Sequence, residues 1–267
     1  MVDLHIHTNS SDGLLPPKEV VEKAIKFGLR AIGITDHDTV KGIEPAISFS
    51  RGRVEVVPGV ELSCLYKGID VHILGYFIDY KALERELEKF QRAREERARE
   101  MVRRLSLEGV KIDIERVMEI AQGGAVGRPH IAQALMEKGY ASSMEDAFFR
   151  FIGYHSKAYV PKLEISIEQG IELIKRYKGI SVIAHPGIYE SREIVEYSIG
   201  KGIEGIEVWH PEHSSIQIQK YREIAQKRGL LITGGSDSHG GRKGKDFFGR
   251  LVIEDEYLEK MKKRRGR

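Results

Sequence analysis

What most constrains this chain is where its histidines and acids fall: at or near the ends of short apolar segments. His5 and His7 lie two apart in residues 2–7, which read as a strand, so both imidazoles face the same side. Asp12 follows in the turn Asn9-Ser10-Ser11-Asp12-Gly13. His37 ends a second segment, residues 31–35, within Thr35-Asp36-His37-Asp38. Glu61 lies in a third, residues 54–65, and His72 in a fourth, residues 71–77. His185 ends residues 181–184, His210 ends residues 203–209, and Asp237 and His239 follow residues 230–233. Two imidazoles aimed at a core need partners, because a buried polar group without one is costly.

Amphipathic segments alternate with these strands near residues 17–27, 166–177, 191–200 and 214–228. Ser166, followed three residues on by Gln169, reads as a capping box that opens one of them. Such alternation predicts an α/β fold with a mainly parallel sheet or barrel. In such folds the C-terminal ends of the strands carry the site. The alternation breaks at Tyr66-Lys67-Gly68-Ile69, which reads as a hairpin turn. It predicts that residues 54–65 and 71–77 run antiparallel, with Ser63 opposite His72 and Leu74 opposite Glu61. Glu61 and His72 are then diagonal neighbours on one face, roughly 7–8 Å apart at Cα. From residue 80 to 159 no strand pattern appears. A long charged helix over 81–107 and shorter ones over 114–121, 129–138 and 144–152 make this a helical insert. The expected division is residues 1–79 and 160–267 for the barrel and 80–159 for a cap over the active site.

Taken singly, each polar residue has a bland reading: a core histidine, a turn former, an ion pair with lysine. Gathered on one rim, their charges would repel and be costly to bury unless cations neutralise them. The donor set is nitrogen and oxygen with no thiolate, which suits Zn²⁺, Mn²⁺ or Fe²⁺ and argues against a structural zinc site. The single cysteine, Cys64, reads as a small buried hydrophobe and permits no internal disulfide, which fits a reducing cytoplasm. A net charge of +3 excludes a general nucleic-acid coat or a polybasic membrane binder. The basic tail, residues 260–267, reads as a solvated helix end. Neither a signal-peptide pattern nor an apolar run near the ~20 residues of a membrane span is present.

His5-Ile6-His7, Asp12, Thr35-Asp36-His37-Asp38, Glu61, His72, His185 and Ser236-Asp237-Ser238-His239 together resemble the motifs of the PHP (polymerase and histidinol phosphatase) superfamily, in order, from residue 2 to about 250. Gly127-Arg128-Pro129-His130-Ile131-Ala132 and Glu207-Val208-Trp209-His210-Pro211 resemble its nucleotide-directed branch, which includes 3′,5′-nucleoside bisphosphate phosphatases and a 5′→3′ exoribonuclease. The resemblance implies a distorted (β/α)₇ barrel with two or three divalent ions. By position, His5, His7, Glu61 and Asp237 would hold one ion, and Glu61, His72 and His185 a second with Glu61 bridging. Asp12, His37 and His239 would hold the third. The substrate would be a small phosphorylated compound, a nucleotide or short RNA, with no membrane and no obligatory protein partner.

Paired ions could deliver a water to phosphorus and clamp the phosphate oxygens. His210 is expected to bind the phosphate or protonate the leaving group. Pro129 suits the first turn of a helix, which places Arg128 at an N-terminus suited to phosphate and makes it a candidate for both binding and catalysis. His130 and His213 are weaker candidates for substrate contact. Asp36 and Asp38 are expected to orient ligands from behind, and His155 and Trp209 to play no part. A histidinol phosphatase, or another small phosphomonoesterase, would use the same bowl. A non-catalytic metal-binding regulatory module is disfavoured by the complete ligand set.

Overall fold

Seven short strands, β1 (Val2–Ile6), β2 (Ala31–Ile34), β3 (Glu55–Tyr66), β4 (Ile69–Tyr76), β5 (Ile180–Ile183), β6 (Gly205–Trp209) and β7 (Leu231–Gly234), lie side by side in chain order. The computed structural model describes residues 1–121, 124–161, 165–189, 191–242 and 244–266. β1 and β7 meet through the parallel pairing of Ile6 with Ser238, where the His7 N–H donates to the Ser238 carbonyl at 2.9 Å, so the sheet nearly closes into a barrel. This is the expected mixed α/β barrel of seven strands.

β3 and β4 form the antiparallel hairpin with Glu61 opposite Leu74 and Ser63 opposite His72, in the predicted register. Lys67 and Gly68 at its turn both have positive φ, 49° and 82°, as a two-residue hairpin of the primed type needs. β4 is antiparallel to β5 as well, while every other neighbouring pair is parallel. The departure from a regular barrel is therefore one reversed strand. Its reversal has a consequence: the beginning of β4, where His72 lies, points to the same rim as the ends of its parallel neighbours.

Helices α1 (Pro17–Lys26), α7 (Ile167–Arg176), α8 (Arg192–Gly200) and α9 (Ser215–Arg228) flank the barrel where amphipathic spacing puts them. The Ser166 capping box forms as expected, with the Ser166 hydroxyl accepting from the Gln169 N–H and the Gln169 carbonyl oxygen from the Ser166 N–H. One helix escapes the sequence reading, and another extends the helix end expected of the basic tail. α2 (Ile43–Ser50) carries Pro45 in its first turn, where a missing N–H costs nothing. α10 (Asp255–Arg265) contains most of the basic tail; Leu258 and Met261 are fully buried while its cations face solvent. Arg267 lies outside the described residues.

The described residues between 80 and 152 form helices joined by loops: α3 (Tyr80–Leu107), α4 (Ile114–Ile120), α5 (Arg128–Glu137), α6 (Met144–Ala147) and a π-helical turn, Phe148–Ile152. The Asp79 side chain caps α3, accepting from the Ala82 N–H. Met101, Val117, Ile131, Leu135 and Ile152 form an apolar cluster separate from the two clusters of the barrel.

Barrel closure depends on one missing side chain. A Cβ on Gly235 would sit 2.4 Å from the His5 nitrogen and 2.5 Å from its Cβ. Gly235→Ala is therefore expected to lower unfolding free energy by about 1–3 kcal/mol, read from urea denaturation. Wild-type stability in that variant would mean that β1 and the end of β7 can part without cost.

Candidate metal centre

The closing strands bring the nine residues expected to hold metal into one bowl at the rim. His5 is on β1, His7 just beyond it and Asp12 in the following loop. His37 follows β2, Glu61 is in the middle of β3 and His72 near the start of β4. His185 lies two residues past β5, and Asp237 and His239 follow β7. His5, His7 and Glu61 are essentially sealed from solvent, whereas His72 is the most open, with 22% of its side chain exposed.

Their donor atoms confront one another. Glu61 Oε1 is 2.9 Å from His72 Nδ1 and 2.9 Å from His185 Nε2, which are 3.3 Å apart. Glu61 Oε2 lies 3.1 Å from His7 Nε2, 3.1 Å from His37 Nδ1 and 3.3 Å from His5 Nε2. Asp237 Oδ1 is 3.1 Å from His7 Nε2 and 3.4 Å from His5 Nε2. Asp12 Oδ1 is 3.2 Å from His239 Nε2, and Asp12 Oδ2 is 3.9 Å from His37 Nε2. Three groups of donors result, each within reach of one ion: His5, His7, Glu61 and Asp237; His37, Glu61 and His72; and His7, Asp12, His37 and His239. His7 and His37 each belong to two groups.

A test of fit lies in what these atoms fail to do. Glu61 Oε2 has three imidazole nitrogens within 3.3 Å yet makes no properly directed hydrogen bond, and the buried Nδ1 atoms of His7 and His37 make none either. Orphaned buried polar atoms are rare, and here they converge. A divalent cation satisfies such lone pairs, and the nitrogen and oxygen set suits one.

Electrostatics agree. Burial alone would push the Glu61 carboxyl up, but the facing rings of His37, His72 and His5 hold it well below the usual carboxylate range. Burial also works against charge on His5 and His7. In His5 the carboxylates of Glu207, Glu61 and Asp237 outweigh it and push the imidazole well up; in His7, bonding to Asp237 and Glu61 pushes it up to about 9. Burial wins at His37, pushed well down, and at His185, pushed down to about 4.

The supporting contacts come largely from residues the sequence did not single out. The Glu207 carboxylate accepts from His5 Nδ1 at 2.9 Å and from the His185 N–H at 2.7 Å, so that Nε2 is the His5 nitrogen turned toward the bowl. Its signal was present: an acid inside the apolar run Ile206-Glu207-Val208-Trp209. Tyr189 Oη accepts from the His72 N–H at 2.9 Å and lies 3.2 Å from His185 Nδ1. Asp36 and Asp38 bond loops rather than imidazoles. Asp36 accepts from the Thr8 N–H, the Thr8 hydroxyl and the Ser11 hydroxyl, fixing the turn that carries Asp12. Asp38 accepts from the Ser63 N–H and from Arg94 of α3. Asp38, His185 and Asp237 all have positive φ, 50°, 27° and 48°, a concentration of backbone strain that marks functional sites.

His210 is buried beside the bowl. Its Nδ1 accepts from the Glu212 N–H, so the proton of the neutral ring sits on Nε2, 3.4 Å from Asp237 Oδ2. His213 Nδ1 bonds the Val208 carbonyl and its Nε2 accepts from the Gly187 N–H, so both nitrogens are spent on main chain, where a substrate contact had been expected. His130 Nδ1 likewise accepts from the Gly127 N–H and shapes the start of α5. Arg128, the first residue of α5, lines a cavity of about 180 Å³ that adjoins Asp12, His37 and His72. Arg94 and Arg97 line it too; no sequence signal separated them from the other arginines of α3. Trp209 packs on Tyr257, His155 is exposed and Cys64 is buried under α7, with Gly170 leaving room for its sulfur.

The PHP domain model matches residues 3–184. The chain belongs to the PHP family. It is 34% identical over 248 residues to the 5′-3′ exoribonuclease Rnm of Escherichia coli, covering 89% of this chain and 84% of that one. It is 32% identical over 255 residues to a 3′,5′-nucleoside bisphosphate phosphatase of Chromobacterium violaceum, covering 92% and 90%. A candidate metal-dependent phosphoesterase from Bifidobacterium adolescentis superposes with a TM-score of 0.88 at 30% identity, over 98% and 96% of the two chains. This PHP chain is accordingly a phosphoesterase, with a cluster of histidines and acids fit to bind metal. No helix among its described residues is long and apolar enough to cross a membrane.

Because the carboxylates hold His7 protonated up to about pH 9 when no cation is near, an incoming ion must displace that proton. Metal uptake is expected to release protons and to tighten with rising pH, ~tenfold per unit for one displaced proton. Titration calorimetry with Mn²⁺ at pH 8, in buffers of different ionisation enthalpy, reads the release directly. Binding without proton release would contradict the picture of His5 and His7 as carboxylate-held cations.

Proposed function

We propose that this chain hydrolyses phosphate esters of nucleotides, either nucleoside 3′,5′-bisphosphates or the 5′-phosphorylated ends of short RNA, at a centre of two or three divalent ions. The carrying observation is the division of Glu61: one oxygen faces His72 and His185, the other His5, His7 and His37. That supports a bridging carboxylate, with His5, His7 and Asp237 completing one ion, His72 and His185 a second, and Asp12, His37 and His239 a third. The double membership of His7 and His37 puts the three positions close enough to share ligands. Such ions, when bound, supply an acidified water nucleophile and neutralise the phosphate oxygens.

The protein's own groups then orient the ester and move its proton. His210 carries a proton on Nε2 at the edge of the bowl, and we assign it the role of donor to the leaving oxygen. Arg128, at the N-terminus of α5, is placed to bind a phosphate with a planar fork. Residues 80–159 act as a cap that narrows access and selects substrate. The relatives named exoribonuclease and bisphosphate phosphatase favour nucleotides over histidinol phosphate. A single cysteine, with no internal disulfide possible, fits a reducing compartment, and we assign the chain to the cytoplasm.

The decisive experiment is a phosphatase screen with Mn²⁺ that compares adenosine 3′,5′-bisphosphate, a short 5′-phosphorylated RNA and histidinol phosphate. Preference for histidinol phosphate would overturn the nucleotide assignment. Glu61→Gln is expected to remove more than one ion per chain by elemental analysis, since both oxygens are engaged; loss of a single ion would contradict the bridge. Arg128→Ala should raise KM about tenfold or more with metal content intact, and loss of metal in that variant would show that Arg128 has been misassigned.

A further inference from the structure

One loop does much to form the second ion position. It leaves β5 and runs through His185, Pro186, Gly187 and Ile188 to Tyr189. His185 Nε2 lies 2.9 Å from Glu61 Oε1. Tyr189 Oη accepts from the His72 N–H at 2.9 Å and lies 3.2 Å from His185 Nδ1. The loop therefore contributes one candidate ligand directly and steadies the strand that carries another. Its backbone is strained at the ligand itself, where His185 has a φ of 27°. Strain of that kind persists only where the surroundings over-determine the conformation.

Those surroundings come from β6 and the turn into α9. His213 is only 7% exposed. Its Nδ1 donates to the Val208 carbonyl at 2.8 Å, and its Nε2 accepts from the Gly187 N–H at 3.0 Å. Gln217, in the first turn of α9, donates through Nε2 to the Gly187 carbonyl at 3.0 Å. Both backbone polar groups of one glycine are thus taken by side chains. The ring also lies so close that a Cβ on Gly187 would sit 2.5 Å from His213 Cδ2. At the head of the loop, Glu207 accepts from the His185 N–H at 2.7 Å. The loop is gripped at its head by Glu207 and at its middle by His213, which is itself anchored to the neighbouring Val208.

We propose that His213 is a positioning residue for the second ion: by clamping Gly187 it holds His185 against Glu61 and Tyr189 against His72, with Gln217 completing the clamp. The inference rests on the reading of the bowl as a metal centre. It goes further in making one ion position, that of Glu61, His72 and His185, separable from the others through a residue that touches no ion. The Asp12 turn is held independently, by Asp36. A histidine suits the task because its nitrogens are fixed on a rigid ring. With Nδ1 committed to Val208, Nε2 has one direction left, and that direction is Gly187.

Elemental analysis after dialysis against a fixed, low Mn²⁺ concentration tests this without any turnover. His213→Asn keeps a donor for the Val208 carbonyl and removes the acceptor for the Gly187 N–H. It should weaken one site about 10–100-fold, the usual effect of losing an outer support, and so release one ion per chain. His213→Gln, whose carbonyl oxygen can reach the Gly187 N–H, should recover that ion. Gly187→Ala forces the ring away with His213 intact and should release the same ion. Neither His213→Asn nor Gly187→Ala should release a further ion in a His72→Ala background, where that position is already lost. The proposal is overturned by a full complement in both His213→Asn and Gly187→Ala, by depletion of all positions alike, by no recovery in His213→Gln, or by a further ion lost beyond His72→Ala. If His213→Asn does not fold, Gly187→Ala alone and with His72→Ala decides. A wild-type chain that binds no Mn²⁺ would instead bring down the metal-centre reading beneath it.

Discussion

A buried carboxylate surrounded by imidazoles governs this molecule. Glu61 sits at the centre of the bowl with both oxygens committed to different sets of rings. Burying one charge in a protein interior is expensive, and burying several without close compensation is worse. The chain accepts an arrangement in which donors confront donors and orphaned acceptors converge, and it holds Asp38, His185 and Asp237 in a backbone conformation that side chains disfavour. An arrangement of that kind is fit to hold cations among the ligands. The barrel around it is the means of forcing the convergence. Closure through His7 and Ser238, the Asp36 clamp on the Asp12 turn, and Glu207 bonded to both His5 and the main chain of His185 each fix one approach to the same few cubic ångströms.

The reversed strand shows how topology serves that end. In an all-parallel barrel, a ligand needs to sit at a strand's C-terminal end. β4 runs the other way, so its opening residues do the work, and the tight Lys67-Gly68 turn delivers His72 diagonally opposite Glu61. The short turn also brings Asp70 over the mouth, two residues before His72. One hairpin thus supplies a candidate metal ligand and a charge at the entrance.

Much of this was legible in sequence because it rests on period and order. Alternation of side chains along a strand put His5 and His7 on one face, and the Lys67-Gly68 turn fixed the hairpin register to the residue. What was not legible depends on contacts across the fold. Glu207 could have been suspected, as an acid inside an apolar strand. Nothing distinguished Arg94 and Arg97 among the arginines of a long charged helix, since their meaning comes from where α3 crosses the rim. His213 misled for the same reason: proximity in sequence to candidate residues says nothing about which nitrogens the main chain has already claimed. α2 was hidden by Pro45, which breaks helices everywhere except in the first turn, where it stands.

The two halves of the mouth have opposite electrostatic characters, and that division explains why a net charge of +3 was a poor guide. The barrel side presents carboxylates and imidazoles that attract cations; the helical side presents guanidiniums with fewer acids than they need. A phosphate ester has the chemistry to answer both, since its oxygens suit cations and guanidiniums alike. The surplus cannot be met by moving either wall alone, because α5 is tied to the hairpin through Asp70 and Tyr154 and α3 is tied to the barrel through Arg94 and Asp38. Those ties hold the guanidiniums at a set distance from the bowl.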